Sequence, residues 1–255
     1  MKKIVVIACS ALLLLLILAL VAGFVFMDTL VKRGVETVGP RVTKVDTKLD
    51  GAHISVFSGA GSLKGFFLGN PQGYKSPSSI QVGKVTISLE PRSVFGSKVI
   101  VHTINVEAPE ITFEGTLGGN NLNKILANVQ AYTGGSASGQ KEDKAAARKI
   151  QVDDFLISAG KVHLAVNVIG SQSLTVPLPE IHMTALGTGP DGITMADLTE
   201  KVFKAMLTEI TPVVTKALSN LGKGAVDAAS GAAAGATDQA GKAVKDIGGL
   251  FKKKQ

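Results

Sequence analysis

The sequence predicts a β-rich α+β protein that begins with a transmembrane helix. Residues 4–27 form an apolar run of 24 residues without a charged side chain. The segments after it alternate apolar and polar residues and are bounded by Gly, Pro, Asn and Ser, which is typical of strands. Hydrophobic residues make up 45% of the chain and charged residues only 18%. This composition favours a β-rich or membrane-associated protein over a charged helical bundle.

The apolar run at residues 4–27 is long enough to anchor the chain in a bilayer. A helix of this length rises ~36 Å at ~1.5 Å per residue and so spans a hydrocarbon core of ~30 Å. A cleavable signal peptide is the alternative, but its apolar region is shorter, at ~7–15 residues, and ends at small residues. Lys2 and Lys3 precede the run, and the charges just after it nearly cancel. The positive-inside bias therefore predicts an uncleaved single-pass anchor, residues 1–27, with a cytoplasmic N-terminus and the bulk of the chain across the membrane.

The net charge of +7 is concentrated at the two ends of the chain. Lys2 and Lys3 supply two of these charges and residues 252–254 supply three, so the remainder is near balance. The sequence contains no basic stretch with interleaved aromatic residues, so we predict no nucleic-acid partner. The one cysteine, Cys9, lies inside the apolar run, where it is expected to act as a small hydrophobic residue.

A helix and a series of strands are predicted directly after the anchor. Valines at helical spacing over residues 28–38 predict a helix that Gly39-Pro40 would end. A short helix is predicted over residues 121–132, and residues 133–146 lack apolar periodicity, which indicates a flexible loop. The strands of this half are predicted in VDTKL, HISVF, SLKGFFL, SIQVGKVTISLE, KVIVHTINVEA and EITFEG.

Further strands and a longer helix are predicted in the second half. The helix covers residues 195–221, with Thr194 as its N-cap and Asp197 three residues on. The strands are IQVDDFLIS, KVHLAVNVIG and SLTVPLPEIHM. We therefore expect residues 28–221 to form one β-rich domain, and residues 222–255, which are Ala/Gly-rich and weakly amphipathic, to form a separate tail.

No catalytic constellation, metal site or cofactor site is predicted, and the chain is not expected to be an enzyme. The four histidines are scattered and lack an acidic or cysteine partner at metal-ligand spacing. Asp153 and Asp154 are neighbours on a strand, so their carboxylates should point to opposite faces and not share a proton. The G-x-G-x-x-G pattern at residues 187–192 matches a dinucleotide fingerprint in letters, but Pro190 removes a donor from the phosphate cradle. A turn that leads to a helix N-cap is expected there.

Several stretches of the first half resemble the N-terminal region of AsmA-like proteins. They are the apolar anchor, the helix VKRGVETVGPRVT, the segment GSLKGFFLGNPQGYKSPSSIQVGKVTISLEPRSVF, the strand VIVHTINVEAPEITFEG and the helix NNLNKILANV. The most specific parts are the Gly-Asn-Pro-x-Gly turn and the Pro-Glu-Ile-x-Phe-Glu strand that Asn-Leu follows. The resemblance extends to about residue 130 and points to a small stand-alone member of the family.

The resemblance implies an inner-membrane protein of a diderm bacterium with a curved antiparallel sheet and flanking helices in the periplasm. In larger relatives such a sheet forms an apolar trough suited to lipid acyl chains, so a membrane phospholipid is the implied partner. The implied function is the shielding or handling of acyl chains, in support of lipid transport and outer-membrane homeostasis. The alternative is an anchored structural or assembly factor that binds envelope proteins without lipid cargo. About ten strands, ~4.8 Å apart, would give a sheet only ~50 Å long, too short for one chain to bridge two membranes.

Adjacent Phe66 and Phe67 face opposite sides of one predicted strand, so both faces of the sheet must be covered there. The candidates for this cover are the helix over residues 195–221, the bilayer surface and a lipid in a trough, and the residues leave all three open. The candidate lipid groove comprises Phe66, Phe67, Ile87, Leu89, Ile104 and Val106.

The tail ends in a second candidate membrane contact. Leu250 and Phe251 lie on the apolar side of a helical pattern, and Lys252, Lys253 and Lys254 follow at once. Apolar insertion together with a basic cluster favours stable binding to an anionic bilayer surface. A frayed, solvated terminus is the alternative.

Overall fold

The computed structural model of the chain describes residues 28–55, 57–134, 148–165 and 174–220. The predicted anchor, nearly all of the predicted loop at 133–146 and the tail with its candidate membrane contact lie outside the described residues. In the part that is described, no helix is long and apolar enough to cross a membrane. The chain divides into two compact units, Met1–Thr211 and Pro212–Gln255, and the described residues of the second, 212–220, are helical.

The described residues form a mixed α+β fold with a large open sheet, which confirms the β-rich α+β class. They contain nine strands, three α-helices and one 3₁₀ helix at Pro91–Phe95. The α-helices are α1 (28–43), α2 (Asn121–Thr133) and α3 (195–220). The strands are β1 (Thr47–Ile54), β2 (Ala60–Gly69), β3 (Ser78–Leu89), β4 (Lys98–Glu107), β5 (Glu110–Glu114), β6 (Lys149–Ser158), β7 (Lys161–Ala165), β8 (Leu174–Pro177) and β9 (Ile181–Leu186).

Three positions in the sheet are each shared by two collinear strands. β4 and β5 both pair antiparallel with β3 in one register, since Lys84 is opposite Glu107 and Ile80 is opposite Ile111. β6 and β7 lie in line beside β4 and β5, and β9 and β8 lie in line beside β6 and β7. The strands therefore fill six positions, and at ~4.8 Å per spacing the sheet is only ~24 Å wide, about half the width expected from ten separate strands.

The sheet is mixed, which corrects the expectation of an antiparallel sheet. β4 pairs parallel with β6, from Lys98 opposite Lys149 to Glu107 opposite Ser158, and β5 pairs parallel with β7. The reason is the long connection through α2, which returns the chain from the end of β5 to the start of β6. Strands joined by such a crossover run parallel.

A row of interruptions crosses the sheet at one level. Gly65 in β2 has a φ of +60° and lies opposite Gly83 in β3 in the register of the two strands. Ala108, between β4 and β5, has a φ of +47°, and Ala159, between β6 and β7, has a φ of +54°. Three of the six strand positions therefore have a residue of positive φ at the same level. Val82 and Val85 are both buried although they are three residues apart, so the buried face continues across the row.

Three predicted element boundaries are wrong. VDTKL and HISVF form the single strand β1, because Gly51 keeps its place in the pairing with β2. SLTVPLPEIHM is divided into β8 and β9 around Pro179, which has no N–H to donate to a ladder. The first helix continues through Gly39-Pro40 to residue 43, where the Thr43 hydroxyl donates to the Gly39 carbonyl oxygen at 2.8 Å and keeps it satisfied.

α1 covers the free edge of β1 with polar side chains. Asp28 Oδ1 accepts from the Ile54 N–H at 2.8 Å, and Glu36 Oε1 accepts from the Leu49 N–H at 3.3 Å. Between them, Lys32 Nζ donates to a β1 carbonyl oxygen at 3.2 Å. These contacts occupy backbone groups that an open edge strand would offer to another chain.

The driest part of the core is formed by α2, β5 and β7. α2 begins after Asn120, whose side chain accepts from the Asn123 N–H at 2.8 Å, and the helix packs against β5. Seven apolar side chains of these elements are at most 1% exposed: Ile111, Phe113, Leu122, Ile125, Val129, Val162 and Leu164. This core fixes the half of the sheet beyond the row of interruptions.

Candidate functional site

One face of the sheet is apolar in the half formed by β3, β4, β6 and β9. The registers place Ile87, Ile104, Phe155 and Met183 in one cross-strand row. Directly opposed residues share a face of a sheet, so the members of a row lie side by side. The next row contains Leu63, Val85, Val106, Ile157 and Ile181.

This apolar face is only partly covered. Val85, Phe155, Ile157 and Ile181 are 3% to 8% exposed, whereas the side chains around them are half-buried. The half-buried group, here called the apolar patch, comprises Leu63, Ile87, Ile104, Val106 and Met183. It differs in this respect from the dry core of α2, β5 and β7, because its aliphatic side chains are partly exposed.

The reverse face of the same strands is polar. Thr86 is opposite Asn105 there, immediately next to the pair of Ile87 and Ile104 in both strands. Lys84 is opposite Glu107 and Ser88 is opposite Thr103 on this reverse face. The reverse face is therefore mostly polar but is not fully open to solvent, since Asn105 Oδ1 is buried and Leu156, opposite Asn105, is half-buried.

The structure brings four of the predicted groove residues together on the apolar face, in adjoining rows: Ile87, Leu89, Ile104 and Val106. Phe66 lies on the same face but on the far side of the row of interruptions, opposite Leu49 and Val82. Phe67 lies on the reverse face and is not part of the surface that the other five share.

Phe67 is covered in part by a lysine. Lys48 is opposite Phe67 in the register, and its Nζ lies 5.6 Å from the ring centroid, within the range of a cation–π contact. Phe66 and Phe67 are both half-buried, and both line an open pocket of about 360 Å³ at the point where Gly65 interrupts β2. The two faces are thus covered only in part at this doublet, because the interruption opens the sheet there.

The Gly-Asn-Pro-x-Gly turn and the Pro-Glu-Ile-x-Phe-Glu strand with its following Asn-Leu are joined by a polar network. This network lies at the end of the sheet where α2 begins. Asn121 is fully buried, and its Nδ2 donates to Asn70 Oδ1 and to the Thr112 carbonyl oxygen, both at 2.8 Å. Its Oδ1 accepts from the Glu114 N–H at 3.0 Å. The Gly-Asn-Pro-x-Gly turn, β5 and α2 are joined in this way, so these motif residues have a structural role that the sequence analysis missed. The sequence signal for this structural role is that Asn70 and Asn121 are polar residues next to apolar runs.

Glu114 fastens the turn from its other side. Its carboxylate accepts from the backbone N–H groups of Lys75 at 2.6 Å and Ser76 at 2.8 Å. Burial raises the pKa of Glu114, but the hydrogen bonds from Lys75 and Ser76 together outweigh burial and hold the pKa below its ordinary value of 4.5. The carboxylate is therefore ionised when the turn is closed.

Each of the four histidines lies beside a carboxylate that is distant in sequence, which spacing along the chain did not indicate. The cross-strand register creates three of these pairs, α1 supplies Asp28 to the fourth, and Asp153 and Asp154 bind different histidines. No group of three or more His, Cys, Asp or Glu side chains that could hold a metal is found among the described residues. The pairs are His53 with Asp28 at 3.4 Å, His102 with Asp153 at 3.0 Å, His163 with Glu110 at 3.7 Å, and His182 with Asp154.

The G-x-G-x-x-G segment forms the predicted turn before a helix N-cap. Gly187 and Gly192 have φ values of +71° and +63°, which glycine adopts readily. Thr194 Oγ1 accepts from the Asp197 N–H at 3.1 Å, and Asp197 Oδ2 accepts from the Thr194 N–H at 2.9 Å. This reciprocal capping box starts α3.

No protein-family model matches this chain, and no curated protein matches it either.

Proposed function

We propose that this chain is a small membrane-anchored protein of the AsmA-like type that shields lipid acyl chains on its apolar patch. In this proposal, residues 1–27 hold it in the inner membrane, and residues 28–221 lie in the periplasm. There it contributes to lipid handling and outer-membrane homeostasis. Its action is non-covalent, because an acyl chain replaces water on the patch and no bond is made or broken.

The observation that carries the proposal is the half-burial of the apolar patch. Each CH₂ group of a ligand that leaves water for such a surface contributes ~0.8 kcal/mol, so a whole acyl chain gains several kcal/mol. An acyl chain spans about half of a ~30 Å hydrocarbon core, or ~15 Å. The ~24 Å width of the sheet accommodates that length across its strands.

The side chains of the patch favour lipid over a protein partner. Protein interfaces are enriched in Tyr, Trp and Arg, which supply most of the binding energy. The patch consists of Leu63, Ile87, Ile104, Val106 and Met183, of which only Met183 belongs to a type that is enriched at protein interfaces. Branched aliphatic side chains without polar anchors match an acyl chain, which offers no hydrogen-bonding group.

Native mass spectrometry of the full chain, extracted from membranes in mild detergent, tests the proposal. The wild type should carry phospholipid, and Ile87→Asp and Ile104→Asp should lose most of it, because each places a carboxylate in the patch. Thr86→Asp and Thr103→Asp are matched controls, since they are neighbours of Ile87 and Ile104 in the same strands but face the reverse side, where Thr103 is exposed. A wild type that reproducibly lacks lipid, or equal lipid in all four variants, contradicts the proposal and favours a protein-binding assembly factor.

A further inference from the structure

One end of the sheet lies where the chain would emerge from the bilayer. Asp28 directly follows the apolar run, and its side chain accepts from the Ile54 N–H at the end of β1. The turn after β1 is joined to the end of β3, because the Gly59 carbonyl oxygen accepts from the Leu89 N–H at 2.8 Å. The 3₁₀ helix Pro91–Phe95 follows Leu89 at this same end.

Two phenylalanines project from these adjacent loops. Phe95 is 85% exposed and Phe57 is 71% exposed, the highest values among the large hydrophobic side chains of the described residues. Transfer of such rings from water to an apolar environment is favourable, and both rings remain largely exposed. Exposed aromatic rings grouped at one end indicate a surface that takes them up.

Cations flank Phe95. The Arg148 guanidinium donates to the Val94 carbonyl oxygen and, at 3.2 Å, to that of Gly96, which holds its charge beside the 3₁₀ helix. Arg92 is exposed in the same helix. Lys98 and Lys149 add two further positive charges at this end.

Four carboxylates lie at the same end, and three of them face histidines. Asp28 lies 3.4 Å from His53, Glu90 Oε2 lies 3.8 Å from His102 Nε2, and Asp153 Oδ2 lies 3.0 Å from His102 Nδ1. Asp191 is exposed in the turn before α3. The charges at this end therefore nearly balance, and the positive charge is local, at the two arginines that flank the exposed ring of Phe95.

We propose that Phe57, Phe95, Arg92 and Arg148, the phenylalanine rim, dock on an anionic phospholipid bilayer. The rings enter the interfacial region, and the guanidinium groups bind headgroup phosphates. Cations are attracted to an anionic bilayer surface, and apolar insertion combined with positive charge gives stable interfacial binding. The rim fixes the orientation of the sheet on the membrane and does not depend on a lipid held in the apolar patch.

A single tryptophan tests the rim, because the chain contains no Trp. Full-length Phe95→Trp and, separately, Phe57→Trp are reconstituted in vesicles of phosphatidylcholine and phosphatidylglycerol with brominated acyl chains. The matched control is Leu117→Trp, which is 42% exposed at the opposite end of the sheet, in the turn before α2. We expect blue-shifted, strongly quenched emission at positions 95 and 57 and unshifted, weakly quenched emission at position 117.

A second set of quenching measurements separates the effect of positive charge at the rim from the effect of lipid bound in the apolar patch. Arg92→Gln in the Phe95→Trp chain should reduce the quenching, as should vesicles of phosphatidylcholine alone, whereas Ile104→Asp should leave it unchanged. The proposal is overturned if positions 95 and 57 are quenched no more than position 117 in chains with native circular dichroism. Equal strong quenching at all three positions also overturns it, because the sheet then has no fixed orientation on the bilayer.

Discussion

Ala108, between β4 and β5, and Ala159, between β6 and β7, lie side by side, and both have a left-handed backbone conformation, with φ values of +47° and +54°. The Ala108 N–H donates to the Ser158 carbonyl oxygen at 2.9 Å. Ala159 follows Ala108 by 51 residues, the same offset that separates the paired Lys98 and Lys149. The interruption is therefore repeated in register, and the apolar face continues across it.

Replacing either alanine with glycine should stabilise the protein. A left-handed conformation costs an L-residue ~1–2 kcal/mol, whereas glycine in a strand loses ~0.5–1 kcal/mol in entropy. Ala108→Gly and Ala159→Gly should each raise the free energy of unfolding by ~0.5–1 kcal/mol in urea titrations of the full chain in detergent. Ala52→Gly, inside β1, is the control and should lower it by a similar amount; losses at all three positions would contradict this reading of the interruptions.

Removing the side-chain hydrogen-bond donor of the buried Asn121 should lower the stability of the protein. Asn121→Asp removes hydrogen bonds to Asn70 and Thr112 and places a carboxylate where no water reaches it, at a cost of ~3–5 kcal/mol. The same change at Asn123, in the first turn of α2, adds a negative charge at a helix N-terminus and should be neutral or stabilising by up to ~1 kcal/mol. Thermal unfolding of both variants checks this, and similar effects at the two sites would disprove the network.

Glu114 should make stability depend on pH in the acidic range. Its folded-state pKa is below the ordinary value, so its contribution is full above about pH 4.5 and is lost as pH falls through the folded-state pKa. Glu114→Gln should cost ~1 kcal/mol at pH 7, a figure discounted for partial exposure. The gap between wild type and variant should close on acidification, whereas Glu107→Gln, on the polar face, should change little at either pH. A gap that is constant from pH 7 to pH 3 would exclude this role for the carboxylate.

The polar cover of β1 should protect its backbone from exchange. Asp28→Ala with Glu36→Ala releases the N–H groups of Ile54 and Leu49, so both amides should exchange faster with deuterium in the full chain. Thr37→Ala changes an exposed position of α1 and serves as the control. Unchanged exchange in the double variant would show that the edge is protected by other contacts.

Local patterns predicted much of the sheet. Alternation in β3 and β4 assigned Ile87 and Ile104 to one face, and the registers confirm that they share it. The capping box of Thr194 and Asp197 was likewise visible in the letters alone, since both of its groups lie within one turn.

Non-local features escaped sequence reasoning. Pairing of β4 with β6 and the histidine–carboxylate pairs depend on which distant strands become neighbours, and alternation contains no information on that. Ala108 and Ala159 gave no signal either, because alanine rarely adopts a positive φ and nothing in its chemistry announces one. The candidate groove included Phe67, although alternation places it on the opposite side from Phe66, and the sequence did not show that Lys48 lies opposite it and covers it in part.

The most direct test of lipid shielding compares two adjacent residues on opposite faces of β4. A photoreactive benzoylphenylalanine replaces Ile104, in the apolar patch, or Asn105, on the reverse face, in the full chain within native membranes. After irradiation and purification, intact mass is measured. The account predicts an added phospholipid mass at position 104 and none at position 105; protein adducts alone at 104, or equal lipid adducts at both positions, would contradict it.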